Sequence, residues 1–105
     1  MPCEGGVPPL TKAEAEALLP HVPGWNLAED GLCISREWKH TDFRAAVAFV
    51  NQVAAIAEQE GHHPDISLFA YRRVRLTLST HAIHGLSGND FILAAKVNAL
   101  QDNQV

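Results

Sequence analysis

Six histidines stand in this chain of 105 residues, and four of them (His62, His63, His81 and His84) fall within 23 positions. Histidine is the side chain whose unperturbed titration lies between about pH 5 and 8, so such a cluster is where proton transfer near neutral pH is sought. His62 and His63 directly precede Pro64, and Glu58 stands four residues before His62. If the last turn of a helix continues that far, the Glu58 carboxylate reaches the His62 ring and favours its imidazolium form. The helix C-terminus acts in the same direction. Proline keeps the preceding residue out of helical geometry, so the two adjacent rings diverge. One imidazole held protonated and another held neutral around one cleft would supply a general acid and a general base.

The same four imidazoles could instead hold zinc, which often takes three histidines. Against that, the chain has neither a His-Glu-x-x-His helix nor a Cys-x-x-Cys pair, and adjacent histidines rarely reach one ion. A histidine-rich metal-binding protein is therefore the second reading. His21 and His40 read as solvated surface residues, and His84 as a loop residue in solvent. Ser87 and Asp90 read as a helix cap, and Trp25 and Trp38 as core. There is no Gly-x-Ser-x-Gly elbow and no glycine-rich phosphate loop.

The elements that must position these groups follow from pattern. Thr11-Lys12-Ala13-Glu14 is a capping box, and the short helix behind it ends at Pro20. Trp25 to Glu29 and Leu32 to His40 flank Asp30-Gly31, which predicts a hairpin with a type I′ turn and Leu27 opposite Ile34. Trp25, Leu27, Leu32, Ile34 and Trp38 then share one face. Thr41 or Asp42 caps a long helix whose apolar stripe runs from Phe43 through Ala46, Val50 and Val53 to Ala57, with Gly61 as its stop. A second hairpin, Ile66 to Tyr71 and Val74 to Thr80, is expected to turn on Arg72-Arg73. That register places Pro64 opposite His81 and brings His62 and His63 beside it. The last helix, from Phe91 to Leu100, is apolar nearly all round, which predicts that part of it meets another subunit. The order α-β-β-α-β-β-α gives an α+β domain: a four-stranded antiparallel sheet with three helices packed on one face.

Composition bounds the rest. Hydrophobic residues make up 47% and charged residues 19%, and the formal charge is −4, which argues against phosphate-directed nucleic-acid binding. The longest apolar run, Ala45 to Val50, is far short of the roughly 18 residues of a membrane span. The N-terminus lacks the features of a signal peptide, and Cys3 and Cys33 form no disulfide framework, so a cytoplasmic location is expected. Residues 1–10 read as a flexible segment, 11–101 as one domain, and 102–105 as a tail.

Glu58-x-x-x-His62-His63-Pro64-Asp65, Tyr71-x-x-Val74, Ser79-Thr80-His81 and Gly85-Leu86-Ser87-x-x-Asp90 occur in that order, with Gly24-Trp25 and the Asp42-Phe43 helix start before them. In these motifs, and over roughly residues 10 to 100, the chain resembles the pterin-4a-carbinolamine dehydratases. The resemblance implies removal of water from 4a-hydroxytetrahydrobiopterin, or a related tetrahydropterin, to give quinonoid dihydropterin. That reaction recycles the cofactor of aromatic amino acid hydroxylases. It implies catalysis by His62, His63 and His81 and substrate contacts from Glu58, Ser79 and Thr80. Pro64 and Asp90 are expected as structural support, and neither metal nor cofactor is implied. A homodimer or homotetramer is implied as well. Family members in animals also bind a transcription factor, so a non-enzymatic dimerisation module is a further alternative. The chain departs from the family at Ile66, where many members carry tryptophan, and at Arg72, where many carry asparagine.

Overall fold

The structure, a computed structural model, describes residues 8–103. Residues 1–7 of the expected flexible segment and residues 104–105 of the expected tail lie outside the described residues. Within the lead-in, Leu10 N–H donates to Leu86 O at 2.8 Å, and a Cβ at Gly85 would come within 2.8 Å of the Pro9 ring. The chain therefore enters the domain across the loop that precedes its last helix.

Helix α1 (Lys12–Leu18) opens with the expected capping box: Thr11 Oγ1 accepts from Glu14 N–H, and the Glu14 carboxylate accepts from Thr11 N–H. Pro20 cannot continue the α ladder, and the chain tightens into a 3₁₀ turn over Leu19–His21. Strands β1 (Asn26–Leu27) and β2 (Ile34–Lys39) pair with Leu27 opposite Ile34, the register expected from the alternating apolar residues. Their connection differs. A type I′ turn needs positive φ at both Asp30 and Gly31, and only Gly31 adopts it, at +74°. Instead Gly31 N–H closes on Ala28 O, and the Asp30 carboxylate accepts from Leu32 N–H.

Helix α2 (Phe43–Glu60) is capped by Asp42, whose carboxylate accepts from Ala45 N–H, and ends at Gly61 with φ +66°. Its buried stripe is Ala46, Phe49, Val53 and Ala57, centred on Phe49 rather than Val50. Phe43 opens the stripe in sequence but is 55% exposed. Strands β3 (Asp65–Phe69) and β4 (Arg73–Leu78) and helix α3 (Gly88–Asn103) complete the α-β-β-α-β-β-α order. The sheet is antiparallel throughout, in the order β1-β2-β4-β3. Ile34, Trp38, Val74, Leu76 and Leu78 form one core with Phe49 and Val53 of α2 and Leu93, Ala94 and Val97 of α3. Both tryptophans are core residues, with Trp25 edge-on to Trp38 at 5.7 Å.

The second hairpin departs from its expected register by three residues. Phe69 pairs with Arg73 and Asp65 with Thr77, and the chain reverses over 70–72 with Ala70 at φ +48° and Tyr71 at +53°. Each left-handed non-glycine residue costs on the order of 1 kcal/mol. What offsets this is the face each strand presents. The observed pairing sets Ile66 and Leu68 on the face of Leu76 and Val74, where Leu68 packs on the core and Ile66 remains 38% exposed. The Arg72-Arg73 turn would have sent them to the open side, because an odd register shift inverts every side chain.

One loop ties α3 to the first hairpin. Asn98 Oδ1 accepts from Trp25 Nε1–H at 2.9 Å and from Arg36 Nη1–H at 2.8 Å, while its amide donates to Pro23 O. Gly24 turns here at φ +91°, and a Cβ at this position would lie 2.6 Å from the Arg36 guanidinium carbon. Asn98→Ala would leave the buried indole N–H without its acceptor. We expect a loss of about 1–3 kcal/mol, read as a lower urea midpoint with unchanged slope.

His40 is not the solvated residue its sequence context suggests; His21 is exposed as expected. The His40 ring lies 4.9 Å from the Phe49 ring, and its Nε2 is buried with no hydrogen-bond partner among the described residues. Burial lowers the His40 pKa from the ordinary histidine value. The native state therefore favours the neutral ring, and unfolding takes up a proton once the pH falls below the unfolded value of about 6.5. His40 thus stabilises the fold above that pH, and its contribution is lost as the pH drops through it. We expect His40→Phe to flatten the fall in urea stability between pH 7.5 and 5; an unchanged slope would show that His40 is not its source.

Candidate active site

His62 is placed by the way α2 stops. Gly61 takes the left-handed conformation and donates to Glu58 O, and His62 N–H turns back onto Ala57 O at 3.1 Å. These two bonds are a Schellman closure, which reverses the chain direction under the helix end. The reversal carries the His62 ring inward, to 6% exposure, and leaves His63 on the surface at 64%. The two rings diverge, as the proline after them requires.

Their carboxylate partners are not the ones the spacing along the helix suggests. Glu58 Oε2 lies 2.5 Å from His63 Nε2, an exposed pair. His62 Nε2 lies 2.5 Å from Oδ1 of Asp90, which has no exposed surface at all. Had the helix run on, Glu58 and His62 would have shared a face; the left-handed residue at Gly61 rotates His62 away and brings His63 to Glu58 instead.

Asp90 stands in the first turn of α3, and its other oxygen is also occupied. Oδ2 accepts from Ser87 N–H at 2.9 Å and from Thr80 Oγ1–H at 2.8 Å, and Thr80 Oγ1 lies 2.8 Å from Ser87 Oγ. The capping function read from Ser87 and Asp90 is therefore real, through Ser87 N–H, and it is half of what Asp90 does. The positive end of the α3 dipole also favours a negative charge in the first turn.

Thr80 meets this network because of the hairpin register. With Asp65 opposite Thr77, the residues that precede β3 and those that follow β4 leave the sheet at the same end. The expected neighbour of His62 was His81. His81 does not continue β4: the strand ends at Leu78, Thr80 pairs with Gly85 as an isolated bridge, and His81 opens a 3₁₀ turn over His81–Ile83. His84, at φ +54°, closes that turn. His81 and His84 are both exposed, and both line an open cleft of about 370 Å³ with Cys33, Asp65, Thr77, Ser79 and Thr80.

His84 is exposed, as expected, and Cys33, distant from the histidines in sequence, borders the same cleft. Burial first, and then the charges of Asp30, Asp65 and Asp90, raise the Cys33 pKa above the ordinary thiol value. A raised thiol is a weak nucleophile near neutral pH, so Cys33 is wall rather than reagent. Among the described residues, no three His, Cys, Asp or Glu side chains are grouped to hold a metal ion. The pairing of His62 with Asp90 was missed because it spans 28 positions; the correct hairpin register, with an acid at the third position of α3, was the signal that could have revealed it.

A sequence model of the family described as pterin 4 alpha carbinolamine dehydratase matches residues 8–100. The chain belongs to this family. A protein of Aromatoleum aromaticum, provisionally named a pterin-4-alpha-carbinolamine dehydratase, is 50% identical over 99 residues, 94% of this chain and 88% of its own. One of Nitrosomonas eutropha with the same provisional name is 52% identical over 100 residues, 94% of this chain and 86% of its own. The crystal structure of a transcriptional coactivator/pterin dehydratase from Brucella melitensis superposes with a TM-score of 0.81 at 37% identity, covering 88% of this chain and 97% of that one. A pterin dehydratase-like protein identified as a RuBisCO assembly factor in the alpha-carboxysome has a TM-score of 0.63 at 25% identity, covering 76% and 92%. The dehydratase fold is thus shared by proteins to which different roles are ascribed.

The two histidine–carboxylate pairs should differ sharply in what they contribute to the fold. Asp90→Asn weakens a buried, charge-assisted network and should cost about 1–3 kcal/mol. Glu58→Gln removes an exposed pair and should cost under about 0.5 kcal/mol. Parallel urea titrations test this, and equal losses would mean that the buried network is not the stronger tie.

Proposed function

We propose that this protein removes water from a 4a-hydroxytetrahydropterin, 4a-hydroxytetrahydrobiopterin or a close relative, giving quinonoid dihydropterin. The observation that carries the reading is the buried His62–Asp90 pair, held to Thr80 beside a cleft bearing His81, in a chain of the dehydratase family. Dehydration needs one proton delivered to the departing 4a-hydroxyl and one removed from the pterin ring nitrogen. The carbon–oxygen bond breaks, water leaves, and a carbon–nitrogen double bond forms, with no oxidant or reductant consumed.

His62 delivers the proton to the hydroxyl. Its carboxylate support is Asp90, in the place the spacing assigned to Glu58. A ring bonded through Nε2 to a carboxylate is fixed in orientation, as a general acid must be. His81, on the cleft wall, accepts the ring proton, and His63, paired with Glu58, orients the substrate. Ser79 in the cleft is the substrate-contacting hydroxyl. None of these steps calls for a metal or cofactor.

The protein works in the cytoplasm, as the lack of a disulfide pattern in its sequence suggests, and as a homodimer or homotetramer. No helix among the described residues is long and apolar enough to cross a membrane. Support for self-association is the apolar surface left over after folding: Phe43 is 55% and Ile92 50% exposed. A second reading, a binding module without turnover, is raised by the Brucella relative, which is described as a transcriptional coactivator as well as a pterin dehydratase. Its diagnostic position is Ile92, which stands 50% exposed on α3.

Chemically generated 4a-hydroxytetrahydropterin, followed as quinonoid product by absorbance, tests the reading. The wild type should accelerate dehydration with no metal bound, and His62→Gln, which keeps an amide donor for Asp90 Oδ1, should lose about 10²–10⁴-fold while staying folded. Ile92→Glu should keep full turnover. A folded wild type that does not accelerate the reaction would sink the enzyme and leave the binding module.

A further inference from the structure

We infer that Thr80 and Ser87 are positioning residues: through Asp90 they set the His62 ring and the loop bearing His81 at a fixed separation. The resemblance places Thr80 in a substrate-contacting segment, but Thr80 is 1% exposed and has almost no surface to offer a substrate. Its hydroxyl faces inward, to Asp90 Oδ2 and Ser87 Oγ, both at 2.8 Å.

The directions of the hydrogens follow from counting. An ionised carboxylate only accepts, so the one hydroxyl hydrogen of Thr80 goes to Asp90. The contact between Thr80 and Ser87 must then be donated by Ser87. A chain results in which Ser87 donates to Thr80 and Thr80 donates to Oδ2, which also receives Ser87 N–H. Oδ1 is turned to His62 Nε2. With both oxygens engaged on opposite sides, the carboxylate cannot rotate without breaking a bond on one of them.

The same residue anchors the other half of the site. Thr80 N–H donates to Gly85 O at 2.7 Å, closing the loop on which His81 is the next residue. One side of Asp90 thus holds the acid of the proposed reaction and the other side holds the root of the loop with its base. Errors of about 1 Å between reacting groups cost on the order of 10²-fold in rate, so this tie bears on turnover rather than on binding.

The inference rests on the dehydratase reading for its kinetic arm, and a second arm is independent of activity. Thr80→Val replaces the hydroxyl with a methyl group of the same shape, Thr80→Ser restores it, and Ser87→Ala removes the outer donor. For Thr80→Val we expect kcat to fall about tenfold or more with KM within about twofold of wild type. Thr80→Ser should recover most of the loss, and Ser87→Ala should show a smaller one. Thr80→Val added to Asp90→Asn should cost no more than Asp90→Asn alone, since both act on one network. In the protein without substrate, Thr80→Val and Ser87→Ala should move the His62 ring-nitrogen resonances and leave those of His63 in place. A rise in KM at unchanged kcat would overturn the inference in favour of substrate contact, and so would unmoved His62 resonances. If Thr80→Val does not fold, Ser87→Ala carries both measurements. A wild type without dehydratase activity would refute the function, while the resonances would still decide the positioning.

Discussion

A carboxylate with no exposed surface has to be surrounded by donors, because an isolated buried charge costs far more than a domain this small can absorb. Asp90 is such a group, and each of its partners comes from a different part of the chain: His62 from the end of α2, Thr80 from beyond β4, Ser87 from the start of α3. Three elements meet correctly only if this one side chain is satisfied. The demand falls where the imidazoles gather, so the geometry that stabilises the fold and the geometry offered to a substrate are the same geometry. By contrast Glu58 and His63 are held together in water, where neither needs the other for the chain to fold.

How far the sequence alone discloses this arrangement depends on the range of the interaction. The first hairpin was legible in register because Trp25, Leu27, Ile34 and Trp38 alternate with polar residues, and burial enforces that pattern. The capping box at Thr11, the cap at Asp42 and the stop at Gly61 were legible because each is a contact between near neighbours. The second hairpin was not. The dipeptide Arg72-Arg73 carries no register of its own, and the observed pairing, which packs Leu68 on the core, goes with left-handed backbone at Ala70 and Tyr71.

The site inherits that difference. The approach of His62, His63 and His81 to one end of the sheet follows from the hairpin between them, whose two registers differ by three residues. Knowing which groups bond to which needed the register and the reversal at Gly61. Asp90 was visible as a helix-capping acid, a local property, but invisible as the partner of His62. Cys33 is likewise remote from the histidines in sequence, though the fold sets it on the wall of the cleft.

The strap formed by Pro9 and Leu10 gives the domain an unusual mechanical property. Leu10 is bonded to Leu86 across a span of 76 positions, and Pro9 sits over Gly85, the residue that closes the His81 loop against Thr80. Fraying of a chain end is ordinarily the cheapest local opening a protein has, and it ordinarily touches nothing of consequence. Here the first described residues lie on the loop carrying a site histidine. Release of the strap would uncover Gly85 and loosen the grip on Leu86, the residue just before Ser87. Any loosening of the strap would therefore be felt at the root of the loop that carries His81.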